Sequence, residues 1–368
     1  MIPAGSSPRR VAVALSGGVD SSVAAALLLH AGFDVIGITM RLWSLPRSGR
    51  AGAEGDLPPT DVDDARHICE LLRIPFHLLD VRDTFKARVV DAFCDDYALG
   101  NTPNPCLTCN REIKFGILLS TALQLGASHL ATGHYAQITF QEGQYRLRRA
   151  VDRRKDQSYV LYMLGQRELS QTLFPLGTYT KEQVRAFASR LQLPAAKRQE
   201  SQDACFLARG DYREFLAQQR PHASRPGPIE DSSGKVIGEH RGIAFYTVGQ
   251  RQGLGIYGPQ PSYVLELDAA RNAIVVGARQ ELYHGSLLAR DVRYVSGCTP
   301  QGPLAIRAKI RYNADEVPAS LEPLPQRRAQ VSFASPQPAI TPGQGVVFYE
   351  GEFVLGGGII SAPGPREV

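Results

Sequence analysis

The stretch of the sequence from Val11 to His30 constrains the fold more than any other. It reads VAVALSGGVDSSVAAALLLH, in which an apolar run passes through a pair of glycines into a second apolar run. The first run carries almost no polarity, as expected for a strand that is buried on both faces of a parallel sheet. The stretch therefore predicts a strand, a tight loop and a helix.

The loop of this stretch predicts a site for phosphate. Two adjacent glycines let the backbone turn sharply and approach a ligand closely. Asp20, Ser21 and Ser22 are expected to cap the first turn of the helix. Backbone N–H groups and the positive end of the helix dipole then point at one place, together with the hydroxyls of Ser16 and Ser21. The loop lacks the lysine of the common GxxxxGK[ST] phosphate loop, so it is of a different kind.

The length, the net charge and the number of cysteines narrow the class of protein. A chain of 368 residues predicts two or three domains, and its formal charge of +5 permits a polyanionic partner without requiring one. The six cysteines lack the spacing of a secreted disulfide framework. Cys69 and Cys94 lie in or beside apolar helical stripes and are expected to be core residues. Neither a signal peptide nor an apolar run near the roughly 20 residues of a membrane span is apparent, which predicts a cytoplasmic protein away from membranes.

The next segments predict an open α/β sheet. Residues 33–40 are predicted to form the second strand, so that the chain begins strand, helix, strand. Ligands of such sheets lie beyond the carboxyl ends of the strands, where Met40 falls. Residues 129–138 are predicted to form a further strand, with Gly133 and His134 near its middle or end. A glycine there implies close approach by a ligand or by another backbone.

Three cysteines stand in segments that suggest chemistry. Cys106 and Cys109 occur in TPNPCLTCN, just before a helix predicted over residues 112–125. A thiol at the N-terminus of a helix has its thiolate form favoured, so both sulfurs are candidates for reactivity. Cys205 follows in a predicted loop that starts at Glu200.

A basic stretch precedes that loop. Residues 145–157 read YRLRRAVDRRKDQ, with six Arg or Lys residues against two acids. Such a stretch is either a solvated face or a surface that binds phosphates.

After Pro221 the pattern changes to short alternating runs that turn signals separate, which predicts two all-β modules. The predicted strands of the first module are 235–239, 243–248, 263–267 and 274–276. Those of the second are 292–295, 305–312, 329–333, 345–349 and 353–360. The predicted domains are therefore 1–219, which is catalytic, 220–280, a small central β domain, and 281–368, a β-barrel.

Seven segments in order resemble the tRNA-specific 2-thiouridylase family, from about Val11 to Ile360. They are SGGVDSS, TPNPCLTCNREIKFG, ATGHYAQI, KDQSYVLYML, QDACFL, TVGQRQGLGIYG and TPGQGVVFYEGE with LGGGII. SGGVDSS alone resembles the loop of the N-type ATP pyrophosphatases, the PP-loop superfamily. The resemblance implies a parallel-sheet domain of the adenine nucleotide alpha hydrolase type, followed by two small β modules. It also implies a transferase that uses ATP to replace the 2-oxo group of the wobble uridine of tRNA by sulfur.

The resemblance also implies roles for individual residues. The residues that it implies contact ATP are Ala14, Leu15, Ser16, Gly17, Gly18, Val19, Asp20, Ser21, Met40 and Gly133. The nucleophilic cysteine falls at Cys109, and the cysteine that carries a persulfide falls at Cys205. The residues that it implies contact tRNA are Lys155, Asp156, Gln157, Arg311 and Tyr312. The C-terminal module is then a tRNA-contacting domain. His134 and Gln344 match positions that shape the site around the target base.

The implied chemistry accounts for these residue types. The urea-like C2=O of uracil is a poor electrophile, whereas its adenylated form loses AMP, and adenylation needs Mg²⁺ and donors that neutralise charge on phosphate. A persulfide on Cys205, loaded by an upstream sulfur donor or carrier, then attacks C2. Cys109 frees the product by attacking that sulfur or by closing a disulfide with Cys205.

The chain departs from the family at Cys106, where many members carry Asp. Cys106, Cys109 and Cys205 would suit a [4Fe–4S] cluster with one open iron that holds sulfide, so this cluster stands beside the persulfide relay as an alternative. Two other functions remain open as well. One is another PP-loop ATP-dependent tRNA-modifying ligase, and the other is a non-enzymatic tRNA-binding metalloprotein.

Overall fold

The computed structural model describes residues 9–43, 61–194, 205–207, 212–256 and 260–365 of the chain. The chain forms two compact units, each made from several segments. The first unit comprises Met1–Arg88, Thr108–Phe206 and Glu352–Val354, and the second comprises Val89–Leu107, Leu207–Gly351 and Leu355–Val368.

The α-helices of the described residues are α1 (Val19–His30), α2 (Asp61–Leu72), α3 (Arg82–Phe85), α4 (Ala92–Ala98), α5 (Pro105–Thr108), α6 (Leu119–Gln124), α7 (Gln166–Ser170), α8 (Lys181–Arg190) and α9 (Tyr212–Gln219). Two π-helical segments join neighbouring helices: Lys86–Asp91 links α3 to α4, and Cys109–Leu118 links α5 to α6. Among these residues no helix has both the length and the apolar character of a membrane span.

The strands of the first half are β1 (Arg10–Ala14), β2 (Asp34–Arg41), β3 (Phe76–Asp80), β4 (His129–Ala131), β5 (Ala136–Gln141), β6 (Gln144–Arg149) and β7 (Thr172–Leu173). Those of the second half are β8 (Gly227–Asp231), β9 (Val236–His240), β10 (Tyr263–Asp268), β11 (Ala273–Gly277), β12 (Tyr283–Tyr294), β13 (Leu304–Lys309), β14 (Val317–Leu324), β15 (Arg328–Pro338), β16 (Gly345–Glu350) and β17 (Phe353–Pro363).

The first unit contains a five-stranded parallel sheet in the order β3-β2-β1-β4-β7. Val11, Ala12 and Val13 of the central strand are fully buried, which explains the unbroken apolar run in the sequence. The strand order reverses between β1 and β4, and ligands of such sheets bind beyond the carboxyl ends of the strands at that point. The predicted open α/β sheet is confirmed.

The strand predicted over residues 129–138 is two separate strands. The first, β4, ends at Ala131, so Gly133 and His134 follow its carboxyl end. The second, β5, forms an antiparallel hairpin with β6, and residues 142 and 143 turn it with φ values of 52° and 78°. β6 pairs in turn with Phe353 and Val354.

The helix predicted to begin at Glu112 begins earlier. The side-chain oxygen of Asn104 accepts a hydrogen bond from the amide of Cys106 at 3.1 Å, so the helical turns start at Pro105. Cys106 and Cys109 therefore lie within the helix rather than before it. The sequence did not reveal this because two prolines close to the start suggested an extended segment.

The central module of the second unit is a four-stranded sheet in the order β10-β11-β8-β9. The predicted hairpin of β10 and β11 is confirmed. The strand predicted over residues 243–248 is wrong, because Ile243–Phe245 form a 3-10 turn. Ile243 and Tyr246 pack there into the core with Val264 and Ile274, so burial rather than strand pairing accounts for the apolar run.

The C-terminal strands form a closed barrel. The order is β12-β15-β14-β13-β16-β17, and β12 pairs with both β15 and β17. Leu321, Val331 and Phe348 are fully buried inside it. The sequence missed β14, which contains Pro318 and Pro323. The predicted small β-barrel is confirmed.

Candidate functional site

The loop between β1 and α1 lies at the point where the strand order reverses. The amide of Leu15 donates to the Ile38 carbonyl at 2.9 Å and extends β1 to the edge of the loop. Gly17 then takes a φ of 71°, a conformation that glycine adopts without strain. Met40, a predicted nucleotide contact, is half-buried at the carboxyl end of the neighbouring β2.

The predicted cap of α1 is wrong. Gly18 is the N-cap residue, and no side chain caps the helix. The hydroxyls of Ser21 and Ser22 donate to the Gly18 carbonyl at 3.2 and 2.7 Å instead of accepting from the first-turn amides. The first N–H groups of a helix have no intrahelical acceptor, so this start is suited to an anion.

Asp20 makes contacts that the sequence did not predict. Its carboxylate oxygens lie 2.7 and 2.8 Å from the Lys181 ammonium on α8, and the hydroxyl of Tyr135 donates to it at 2.9 Å. Both partners are far from the loop in sequence. Tyr135 stands in the ATGHYAQI segment and Lys181 in none of the seven, and only the folded chain shows that both contact Asp20.

Gly133 lies against the start of α1. A Cβ atom there would lie 2.8 Å from the Ser21 nitrogen and 2.9 Å from the carbonyl carbon of Asp20. The close approach predicted for this glycine is therefore made by another backbone, that of the nucleotide loop.

His134, the residue after Gly133, is buried. Its Nδ1 lies 2.7 Å from the Thr132 hydroxyl, its Nε2 lies 3.5 Å from the Lys114 ammonium, and the rings of Phe115 and Phe174 pack against it. Burial, together with the charge of Lys114, holds the pKa of His134 well below its ordinary value of 6.5. The imidazole is therefore neutral at physiological pH.

This burial predicts a pH dependence of stability. The unfolded chain binds the proton of His134 more tightly than the folded protein, so the free energy of unfolding falls as the pH drops below about 6.5. We expect His134→Asn to make the melting temperature fall less steeply between pH 7 and 5 than in the wild type. The exposed His30→Asn is the control and keeps the wild-type slope; equal slopes for all three proteins contradict the prediction.

The cysteines differ in exposure. Cys69 and Cys94 are buried as predicted, and burial raises the pKa of Cys69 to about 11. Cys109 is buried in its helix, next to Asn110, whose amide donates to the Val160 carbonyl at 2.8 Å. Cys205 is exposed.

The residue that follows Cys205 is packed into the core. Phe206 is 1% exposed and its ring packs against Phe85, with centroids 6.0 Å apart. The Cys205 thiol is therefore exposed to solvent next to a side chain that is packed into the core. The preceding part of the predicted loop, 200–204, lies outside the described residues.

The three cysteines of the alternative cluster fall in two units, Cys106 in the second and Cys109 and Cys205 in the first. In the part of the chain that the structure describes, no three His, Cys, Asp or Glu side chains are grouped so that they could hold a metal ion. Cys106, Cys109 and Cys205 all belong to that part.

The basic stretch lies on β6 and the turn after it. Asp156 is buried, and its carboxylate accepts from the amides of Ala150 and Ser158 and from the Ser158 hydroxyl at 2.9, 3.3 and 2.7 Å. Gln157 pairs with the backbone of Tyr135 in both directions, at 2.8 and 3.0 Å. Asp156 and Gln157, two of the five residues predicted to touch tRNA, thus stabilise the turn, and Lys155 beside them is half-buried.

We expect Asp156→Asn to lower the free energy of unfolding by about 1 to 3 kcal/mol, because an amide nitrogen would face buried donors. Thermal or urea unfolding measures the change. Glu142→Gln removes one carboxylate from an exposed turn nearby and is expected to stay within about 0.5 kcal/mol of the wild type. Equal stability of the two variants would show that the contacts of Asp156 carry no net energy.

In the second unit the remaining predicted residues lie near the end of the barrel strands. The side-chain amide of Gln344 donates to the Thr102 carbonyl at 2.7 Å. Arg311 donates to the Ala339 carbonyl and, at 3.0 Å, to the Thr341 hydroxyl, and Tyr312 is exposed. Gln344 and Arg311 therefore both contact backbone or side chains of their own unit.

Comparison with known proteins covers nearly the whole chain. Three family models match in succession: a tRNA methyl transferase HUP domain over residues 9–209, a tRNA methyl transferase PRC-barrel domain over 213–278, and an aminomethyltransferase beta-barrel domain over 284–360.

Curated relatives match from end to end. The tRNA-specific 2-thiouridylase MnmA of Moorella thermoacetica is 47% identical over 352 residues, covering 95% of this chain and 99% of that protein. Proteins of the same name from Roseiflexus castenholzii and Magnetococcus marinus are each 48% identical, covering 96% of this chain and 99% of theirs. A chain that shares nearly half its residues with these proteins over its length, and that places SGGVDSS at the reversal point of a parallel sheet, belongs to the tRNA-specific 2-thiouridylase family.

Proposed function

We propose that the protein is an ATP-dependent tRNA sulfurtransferase that replaces the 2-oxo group of the wobble uridine by sulfur. The observation that carries this proposal is the helix start at the reversal point of the sheet, which no side chain caps, in a chain of the 2-thiouridylase family. An anion site of this kind suits the phosphates of ATP.

ATP would lie along the loop from Ala14 to Ser21, between Met40 and Gly133, at the carboxyl ends of β2, β1 and β4. A bound Mg²⁺ would neutralise charge on the phosphates. Mg²⁺ usually takes only one or two ligands from protein carboxylates and the rest from phosphate and water, and Asp20 would be the carboxylate that holds it. The uncapped N–H groups of α1 stabilise the charge that develops as the uracil oxygen attacks the α phosphorus of ATP and displaces pyrophosphate.

The sulfur step uses Cys205 and Cys109. The terminal sulfur of a Cys205 persulfide attacks C2 and displaces AMP, which leaves Cys205 joined to the base through a disulfide. The Cys109 thiolate then attacks the Cys205 sulfur, so that a Cys109–Cys205 disulfide forms and the 2-thiouridine leaves. A dithiol reductant resets the pair for the next turnover.

The exposure of the two thiols supports this division of roles. Cys205 is exposed and can accept sulfur from an upstream donor or carrier, whereas Cys109 is 8% exposed and is shielded from that exchange. The basic turn with Lys155, Asp156 and Gln157 would hold tRNA in the first unit, and Arg311 and Tyr312 would hold it in the second. His134 and Gln344 would border the target base. We place this activity in the cytoplasm.

The test uses an unmodified tRNA transcript, ATP, Mg²⁺ and a persulfide donor that can transfer sulfane sulfur to Cys205, with mass spectrometry of the digested nucleosides. We expect 2-thiouridine at the wobble position and one AMP for each thiolated tRNA. An ATP analogue with a methylene group between the α and β phosphorus atoms supports no reaction, because the α–β bond must break.

Other outcomes identify the alternatives. AMP release with a different modified nucleoside would show another PP-loop ligase, and tRNA binding without AMP would show a binding protein. Iron and acid-labile sulfide, measured on protein purified without oxygen, test the cluster independently. Their absence together with activity supports the persulfide relay.

A further inference from the structure

A lysine reaches the nucleotide loop from a distant helix. Lys181 is the first residue of α8, and its ammonium contacts both carboxylate oxygens of Asp20 at 2.7 and 2.8 Å. The side chain of Lys181 is 11% exposed and that of Asp20 is 33% exposed. The cation is therefore held inside the protein at a loop that has no lysine of its own, beside a carboxylate that solvent reaches.

The helix does not need this ammonium in order to stay in place. The Thr180 and Gln183 side chains form a capping box at the start of α8, and Val184 and Ala188 pack into a core that includes Val23 of α1. Withdrawing an ammonium from water is costly, and a buried ion pair seldom adds net stability over an apolar contact. A structural role alone does not account for a charge at this position.

The surroundings hold the ammonium in one place. The backbone amide of Lys181 donates to the Asp152 carboxylate at 2.9 Å, and the ammonium lies 5.7 Å from the centroid of the Tyr135 ring. Tyr135 also donates its hydroxyl to Asp20. A cation that is fixed before the ligand arrives loses little entropy when it binds an anion.

We propose that Lys181 binds the β and γ phosphates of ATP and stabilises the pyrophosphate as it leaves. It supplies from α8 the cation that other phosphate loops carry within the loop itself. Asp20 balances its charge when no nucleotide is bound. The inference rests on the proposed function in that ATP is the ligand of this loop, and it adds the residue that contacts the leaving group.

The test compares three ligands, without tRNA, on the full-length protein. Lys181→Met keeps most of the length of the side chain and removes its charge. We expect the Kd values of ATP and of pyrophosphate, measured by equilibrium dialysis, to rise about 10- to 100-fold, since one charge-assisted contact is lost. The Kd of AMP, which lacks the β and γ phosphates, is expected to change less than about 3-fold.

Two further variants separate this role from others. Arg190→Met removes a positive charge from the exposed end of the same helix and is expected to leave all three Kd values unchanged. If Lys181 only neutralises Asp20, the double variant Asp20→Asn with Lys181→Met recovers pyrophosphate binding measured without Mg²⁺, and the proposal is overturned.

If Lys181→Met distorts the whole site, the Kd of AMP rises as much as the Kd of ATP. Equal increases of the two Kd values also overturn the proposal. If the methionine variant does not fold, Lys181→Gln is measured with the same ligands. If the wild type forms 2-thiouridine but Lys181→Met binds pyrophosphate with the wild-type Kd, this inference is refuted and the proposed function stands. A wild type that binds neither ATP nor pyrophosphate refutes both.

Discussion

Replacing Cys205 or Cys109 by serine is expected to lower the formation of 2-thiouridine by at least about 1,000-fold. A serine at 205 cannot carry a sulfane sulfur, and a serine at 109 cannot close the disulfide that releases the product. Adenylation needs neither thiol, so release of pyrophosphate from ATP in the presence of tRNA is expected to survive in both variants. AMP leaves only when the persulfide attacks C2, so a single turnover of AMP is expected in Cys109→Ser and none in Cys205→Ser. Pyrophosphate release measures adenylation, and AMP release with nucleoside mass spectrometry on the same samples measures the sulfur step.

Two other cysteines supply the controls for this experiment. Cys298 is exposed and outside every proposed step, so Cys298→Ser is expected to keep full activity. Cys106→Ser is expected to retain thiolation if the persulfide relay operates, whereas a cluster would lose a ligand and its iron. Full thiolation by both the Cys109 and the Cys205 variants would eliminate the relay.

The parts of the structure that the sequence predicted are those that depend on local pattern. The strand before the nucleotide loop is recognisable because Val11 to Val13 are buried on both faces, and an all-apolar run is the signature of such a strand. The hairpin of β10 and β11 and the closed barrel follow from alternating runs between turn residues. In these elements the local preference and the tertiary packing agree.

The parts that it missed depend on contacts between distant residues. Asp20 was expected to cap α1, but an ammonium and a hydroxyl from elsewhere in the chain compete for its carboxylate and are stronger partners. Gln157 was assigned to tRNA by resemblance, and its pairing with Tyr135 depends on the fold of a turn. Motif spacing carries no information about such partners.

The missing strand β14 has a different cause. Its hairpin with β15 turns at Gln326 and Arg327, which adopt φ values of 60° and 55°. Tight hairpins of this twist usually place Asn or Gly at these positions, so the sequence gives no turn signal. Two prolines within the strand also argue against it, because proline removes a hydrogen-bond donor from the ladder.

Gly133→Ala is expected to lower kcat/KM for ATP by about 100-fold, because it displaces the nucleotide loop. The added methyl group would lie 2.8 Å from the Ser21 nitrogen and 2.9 Å from the Asp20 carbonyl carbon. Both atoms are backbone, so the methyl group cannot be accommodated by rotating a side chain, and the start of α1 or the end of β4 must move. Steady-state kinetics with ATP as the varied substrate, together with the Kd of AMP, measure the change.

The control for this variant is Gly302→Ala, since a Cβ atom at Gly302 would meet nothing within 4 Å. It is expected to keep the wild-type kcat/KM and melting temperature. Overpacking at Gly133 is also expected to cost about 1 to 3 kcal/mol of stability, so the kinetics are compared well below the melting temperature of the variant. Wild-type kinetics in Gly133→Ala would mean that the loop and β4 can separate without loss, and that the geometry around Asp20, Ser21 and Gly133 does not set the position of the nucleotide.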